Sequence, residues 1–326
     1  PHMLTSALQI AYSAVDLAIV GHAVSGAALS AVSVSGHVLN LVTMLGLGFS
    51  TGGQVYMAQL LGMDRRSECG RVTATLLTAT SAVAIVLALI CAVFNGPILR
   101  LMNTPAEAYD MAVQYLVIGS AGLIFTFMYN GLAAIVRAFG DSQTPLYAIL
   151  AASAVNILLD LLFVVVFHWS VIGAAAATVI AQGVATVICL MAVLKLEPLR
   201  FQKGEFTFHR GDAGQLLKLA APMAFQNTMI SVGGMAVQKV LNGLGYLYVT
   251  GFTATNKLYG LLEAAAVSFG YAITTYTGQN LGARRFDRIR SGMRKAALIA
   301  FVTALCLTGV MFLAGRPCLS LFIASS

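Results

Sequence analysis

Two stretches of this chain, 72–94 and 146–167, each run the length of a bilayer span, about 20 residues, without one Lys or Arg. Nothing constrains the fold more. Runs of that length must be enclosed by other protein or solvated by lipid, and the rest of the chain cannot enclose them in a water-soluble body. Of 326 residues, 59% are hydrophobic and 10% charged, with a mean hydropathy of +0.85. An ordinary soluble domain carries about 25% charged residues. A soluble globular enzyme, a disordered chain and a disulfide scaffold are therefore excluded. The runs are continuous and lack the period-two alternation of a transmembrane barrel, so helices must satisfy the backbone in lipid.

The hydropathy pattern predicts about nine transmembrane helices in an all-α membrane protein. The first ends near Val20. The others cover about 31–61, 72–94, 109–137, 145–167, 171–194, 214–242, 248–279 and 294–314. Pro1 opens directly onto apolar sequence, and the chain stops shortly after Pro317, so both ends read as cut.

The basic residues sort by loop. Arg65, Arg66 and Arg71 fall in the second loop and Arg137 in the fourth. Lys195, Arg200, Lys203, Arg210 and Lys218 fall in the sixth. Arg284, Arg285, Arg288, Arg290, Arg294 and Lys295 fall in the eighth. Fifteen of the 19 basic residues thus lie in even-numbered loops. Those loops share one side of the membrane, and the positive-inside rule makes it cytoplasmic. The net charge of +7 is accounted for by topology, and no nucleic-acid partner is expected. Trp169 in the short fifth loop fits an anchor at the opposite interface. Five cysteines without a CxxC pair read as small apolar side chains, not as disulfides or metal ligands.

An internal repeat organises the chain. Displaced by 220 positions, Phe49, Tyr56, Gln59, Leu61, Gly62 and Arg65 fall on Phe269, Tyr276, Gln279, Leu281, Gly282 and Arg285. Pro97, Leu99 and Leu101 fall on Pro317, Leu319 and Leu321. Six helices separate the copies. An even offset gives a parallel repeat, two six-helix lobes related by a pseudo-twofold along the membrane normal, with substrate between them. The predicted units are an N-lobe at 1–200 (helices one to six, the first partial), a cytoplasmic inter-lobe loop at 201–213, and an incomplete C-lobe at 214–326 (helices seven to nine).

Charged groups at membrane depth are costly and so are functional candidates. Asp16, Asp160 and Thr178 fall at similar depth, about 8–12 Å below the outer surface at about 1.5 Å per residue. Asn156 and Asp160 share a helix face, as do Thr178 and Gln182, and as do Gln9, Tyr12 and Asp16. Three helices of one lobe thus offer carboxylate, amide and hydroxyl oxygens, a set suited to a hard monovalent cation or a shared proton. The bland alternative is hydrogen bonding across helices, which fits Asn156, Thr178 and Gln182 better than it fits two acids. Lys239 reads as snorkelling to the outer interface. Lys257 and Glu263 are six residues apart and do not face each other along one helix. Asn130 lies toward the cytoplasmic end of span four. Gly48, Gly52, Gly53 and the run 173–177 supply small faces for close helix packing. No P-loop, GxSxG, HExxH or zinc spacing occurs, so no ATP site, cofactor or enzymatic activity is expected.

These residues resemble the multidrug and toxic compound extrusion (MATE) family over essentially the whole chain. The resemblance is carried by Pro1 and Asp16 before Val20-Gly21, by "RAFGD" at 137–141 with Pro145, by "NILLD" at 156–160, and by "QNLGA" at 279–283. The acid pattern is more like the DinF-type branch. The resemblance implies ion coupling, by H⁺ or by Na⁺, at Asp16, Asn156, Asp160 and Thr178. It also implies a drug cavity lined by Gln9 and Tyr12, with Asn130 and Gln182 beside it. A secondary antiporter of organic cations follows, multi-pass in the cell membrane, in contact with lipid and monomeric. The family has twelve helices, so the start of the first and the last three are expected to be missing, and this chain is not expected to transport by itself. A lipid-linked oligosaccharide flippase of the same superfamily is the alternative. It would need a cavity lined by Arg and Lys, and the sequence places none inside the first lobe.

Overall fold

The computed structural model describes residues 26–196, 208–244, 252, 266, 267 and 269–320, and among these every regular element is helical. In chain order the elements are α1 (Gly26–Gly62), α2 (Cys69–Val93), the short α3 (Asn95–Leu101), α4 (Tyr109–Ala138), α5 (Gln143–Asp160), α6 (Ser170–Lys195) and α7 (Arg210–Leu244). A helical run at 269–282, α8 here, and α9 (Phe286–Ser320) follow. Predicted spans two to four, six, seven and nine each fall on one of these elements, and span five continues past α5 into a π-turn, Leu161–Val166. The first span lies outside the described residues, as do most of the inter-lobe loop and much of span eight, including Lys257 and Glu263. Among the described residues five helices are long and apolar enough to cross a membrane: Ser30–Gly62, Arg66–Val93, Ala106–Ala138, Gln143–Val166 and Ser170–Lys195.

The first lobe packs α4 at its centre, between α1, α2 and α6, with α5 against α6. Leu132, Ala133, Ile135 and Val136 of α4 meet Met57 and Leu60 of α1, Leu76 of α2 and Ala185 of α6 in one buried cluster. The lipid-facing sides keep large apolar residues exposed, such as Val86, Leu89, Val93, Leu158 and Val187. In lipid this exposure carries no hydrophobic penalty, so close packing of small residues must join the helices instead. Where Gly48 and Gly52 of α1 face α7, an added Cβ would lie 2.4 Å and 2.7 Å from the Cα atoms of Ala224 and Ala220.

The repeat is visible in backbone detail. After α1, the amides of Met63, Asp64 and Arg65 donate to the carbonyls of Gln59, Leu61 and Leu60 at 3.0, 3.2 and 3.0 Å. After α8, Ala283, Arg284 and Arg285 donate to Gln279, Leu281 and Asn280 at 3.0, 3.0 and 2.9 Å. Each donor and each acceptor is displaced by 220. Asp64 and Arg284 both take positive φ, 57° and 55°, which closes the last turn in a Schellman-type stop.

Asp141 secures the start of α5. One carboxylate oxygen accepts the amides of Gln143 and Thr144 at 2.8 and 3.0 Å, and the other accepts the Thr144 hydroxyl. Gly140 precedes it at φ 92°, a turn conformation that suits glycine. Burial alone would raise the Asp141 carboxyl, but these three hydrogen bonds outweigh it and hold the pKa below its usual 3.8. A lowered folded value means the stabilisation is complete above the unfolded pKa and is lost as pH falls through the folded one. Asp141→Ala is expected to cost about 1 kcal/mol in denaturant unfolding at neutral pH. The gap from wild type should narrow in acid; a gap independent of pH would show that the carboxylate plays no part.

Candidate functional site

Helical periodicity puts Asn156 and Asp160 one turn apart on α5, and both are fully buried. Across from them on α6 stands Thr178. The Asn156 Nδ2 donates to the Thr178 Oγ1 at 3.4 Å, and that hydroxyl donates to the Ala174 carbonyl at 3.0 Å. The amide, carboxylate and hydroxyl expected to act together thus lie on two packed helices, with Asn156 and Thr178 in direct contact. Asp16, Gln9 and Tyr12 lie outside the described residues. So does the side chain of Lys239.

Gln182 and Asn130 stand apart from this cluster. Both are half-buried. The Gln182 backbone carbonyl accepts the Thr186 hydroxyl at 2.8 Å, and the same hydroxyl reaches the Phe125 carbonyl on α4 at 2.8 Å. Among the described residues neither the Gln182 nor the Asn130 side chain hydrogen-bonds to Asn156, Asp160 or Thr178.

One local feature has no counterpart in the sequence pattern. Immediately after Asp160 the helix widens into a π-turn, Leu161–Val166. The Phe167 amide reaches back five residues to the Leu162 carbonyl at 2.9 Å. The apolar run 161–167 gives no sign of this, because α and π turns bury the same side chains. π-Turns interrupt the regular ladder and recur at functional sites, and this one begins at the buried acid. Within it, Phe163 stacks on Trp169 at 5.0 Å.

A second polar cluster joins the lobes at the end bearing the even-numbered loops. Gln54 of α1 is fully buried. Its Nε2 donates to the Thr275 hydroxyl at 2.9 Å and to the Tyr271 carbonyl at 3.3 Å, while its Oε1 accepts the Arg137 Nε at 3.3 Å. The Arg137 guanidinium lies 4.5 Å over the centroid of the Tyr271 ring, a cation–π geometry. The Gln279 Nε2 donates to the Ala138 carbonyl at 2.9 Å. Arg137 is therefore not a loop charge, as its sequence position suggested. It sits in the last turn of α4, 9% exposed. It stays at the end that bears the even-numbered loops, held by Gln54 and Tyr271.

Nearby, Asp212 of α7 is 3% exposed. It accepts the Tyr56 hydroxyl at 3.0 Å and the Arg71 Nε at 2.7 Å. Arg71 also reaches Glu68 at 3.1 Å. A close approach of the two backbones is reciprocal. A Cβ on Gly62 would meet the Gln279 carbonyl at 1.9 Å, and one on Gly282 would meet the Gln59 carbonyl at 2.1 Å. Ala58 and Gly278, mates under the repeat, face each other at 2.8 Å from the built Cβ, as residues on a twofold axis must. The motif glycines could be found in sequence; their partners could not.

Set beside known proteins, the chain matches the MatE family model over residues 1–162 and 222–326. It is 30% identical over 289 residues to the Bacillus subtilis "Probable multidrug resistance protein YpnP", covering 89% of this chain and 65% of that protein. It is 26% identical over 318 residues to the Escherichia coli "DNA damage-inducible protein F", covering 94% and 67%. The chain thus spans about two thirds of the length of these relatives. Among solved structures, one described as the outward-facing conformation of a multidrug resistance MATE family transporter superposes with a TM-score of 0.91. It is 22% identical and covers 100% of this chain and 72% of that one, which shows the fold.

Proposed function

We propose that this chain, which belongs to the MatE family, is the core of a secondary antiporter that exports organic cations in exchange for H⁺ or Na⁺. One observation carries the reading. Asn156 and Asp160 are completely buried inside a lobe of a membrane protein, with Thr178 bonded to Asn156. A carboxylate at that depth is too costly to be retained as packing. In this reading the coupling ion enters from outside and binds at Asp16 and Asp160, with Asn156 and Thr178 supplying further oxygens. It neutralises the carboxylates, and the first lobe repacks and loosens its hold on a cationic drug near Gln9 and Tyr12. Ion and drug compete for the same negative charge, and that competition links the two fluxes. The lobes are taken as 1–200 and 214–326, joined by 201–213, with the basic even-loop end in the cytoplasm of a cell membrane. The protein works as a monomer. The inter-lobe bonds of Gln54, Arg137 and Gln279 would then close the cytoplasmic side.

The test is export from proteoliposomes holding the product of the whole gene, under separately imposed pH and Na⁺ gradients. Efflux of a fluorescent organic cation driven by either gradient is expected. Dissipating the gradient should return efflux to the rate of empty vesicles, and gradient-independent leakage would overturn the reading.

A further inference from the structure

At the even-loop end the two lobes leave a cleft of about 530 Å³ between them. It is lined by Leu61 and Gly62 at the end of α1, Arg66 just beyond it, and Phe139 after α4. The other wall is Gln279 and Asn280 of α8, Ala283, and Arg285 and Arg288 at the start of α9. Three arginines from both lobes line this cleft, and no acid does. The repeat makes the imbalance informative. Displacement by 220 puts Arg65 on Arg285 and Glu68 on Arg288. In the first lobe, Glu68 pairs with Arg65 and with Arg71. In the second lobe an arginine stands where that acid would be. Among the described residues Arg285 and Arg288 form no ion pair, and Arg66 reaches only Asp64, 3.4 Å away and largely exposed.

We infer that this cleft binds a phosphate-bearing anion. Arginine presents a planar fork matched to phosphate oxygens. The N-terminus of α9, a 35-residue helix whose first turn also carries Asp287, lies beside the same arginines and adds the positive end of its dipole. Met63, Leu281 and Phe286, next in sequence to the lining residues Gly62, Asn280 and Arg285, are exposed at 41%, 42% and 62%. Apolar side chains at the rim of a basic cleft in a membrane-spanning fold fit the headgroup of an acidic phospholipid better than a free anion. Because both lobes supply arginines, the ligand fits only while this end is closed. It therefore favours the closed form by its differential affinity.

The experiment is native mass spectrometry of the purified protein with phosphatidylglycerol, phosphatidylcholine or inorganic phosphate. Wild type is expected to retain phosphatidylglycerol over phosphatidylcholine. An Arg285→Gln/Arg288→Gln variant should lose about 30-fold in that retention, at about 1 kcal/mol per arginine near a membrane surface. An Arg285→Lys/Arg288→Lys variant should recover part of it. An Arg294→Gln/Lys295→Gln variant removes the same charge outside the cleft lining and should retain the lipid as wild type does. Equal losses in the two glutamine variants would overturn the site, as would no preference for the acidic lipid. Saturation by inorganic phosphate with the same arginine dependence, and without lipid retention, would uphold the anion site and overturn its assignment to lipid.

Discussion

Asp160→Asn is expected to remove the ion dependence of export, a loss of about 5- to 150-fold, the range of a typical coupling free energy. Asparagine keeps the size of the side chain and a hydrogen-bonding head but cannot exchange a charge for a bound ion. Asp160 is fully buried on α5, one turn from Asn156 and at the start of the π-turn Leu161–Val166. Removing its negative charge also removes the cost of holding that charge in a low-dielectric lobe, so thermal stability should stay level or rise. Gradient-driven efflux and thermal unfolding, measured on the same preparation, separate loss of coupling from loss of fold. Full ion-driven efflux by Asp160→Asn would end the coupling role assigned to this residue. Thr178→Ala should do less, because it removes one neutral oxygen and leaves the charge in place.

Gly62→Val is expected to prop the lobes apart at the basic end. Its Cβ would fall 1.9 Å from the Gln279 carbonyl oxygen, which is backbone and cannot rotate away. Overpacking of this kind costs about 1–3 kcal/mol, and here the cost falls only on the closed arrangement. That is about a 5- to 150-fold shift of population toward the open one. Spin labels at Ser67 and Arg290, both exposed, should report a longer distance. Gly282→Val should act in the same direction through the Gln59 carbonyl, because the contact is reciprocal. Gly183→Val is the control, since nothing lies within 4 Å of its built Cβ. An unchanged label distance in both Gly62→Val and Gly282→Val would show that this contact does not govern closure.

Much of this molecule is legible in its amino-acid sequence. The lengths of α2, α4, α5 and α6 follow from uninterrupted apolar runs, because lipid leaves a spanning backbone no alternative to its own helical bonds. The 220-residue repeat is legible because each copy must end a helix and reverse into a loop in the same way. Asn156 and Asp160 could be placed on one buried face because helical period and the cost of a charge in lipid are local properties.

The contacts between lobes are of another kind. Nothing in the sequence near Gln54 says that its amide will bridge Arg137 and Thr275, 83 and 221 positions away. Arg137 read as a loop charge because its position beside "FGD" is all the sequence offers. Its partners are Gln54, from a distant helix of its own lobe, and Tyr271, from the other lobe. The cleft of Arg66, Arg285 and Arg288 is likewise assembled from segments that are remote in sequence. The sequence by itself determined the membrane class, the helices, the repeat and the buried acid, since each follows from solvent and from backbone geometry within one segment. Only the tertiary structure decided which polar groups meet across the two lobes, since pairing between distant helices depends on partners that no single segment contains.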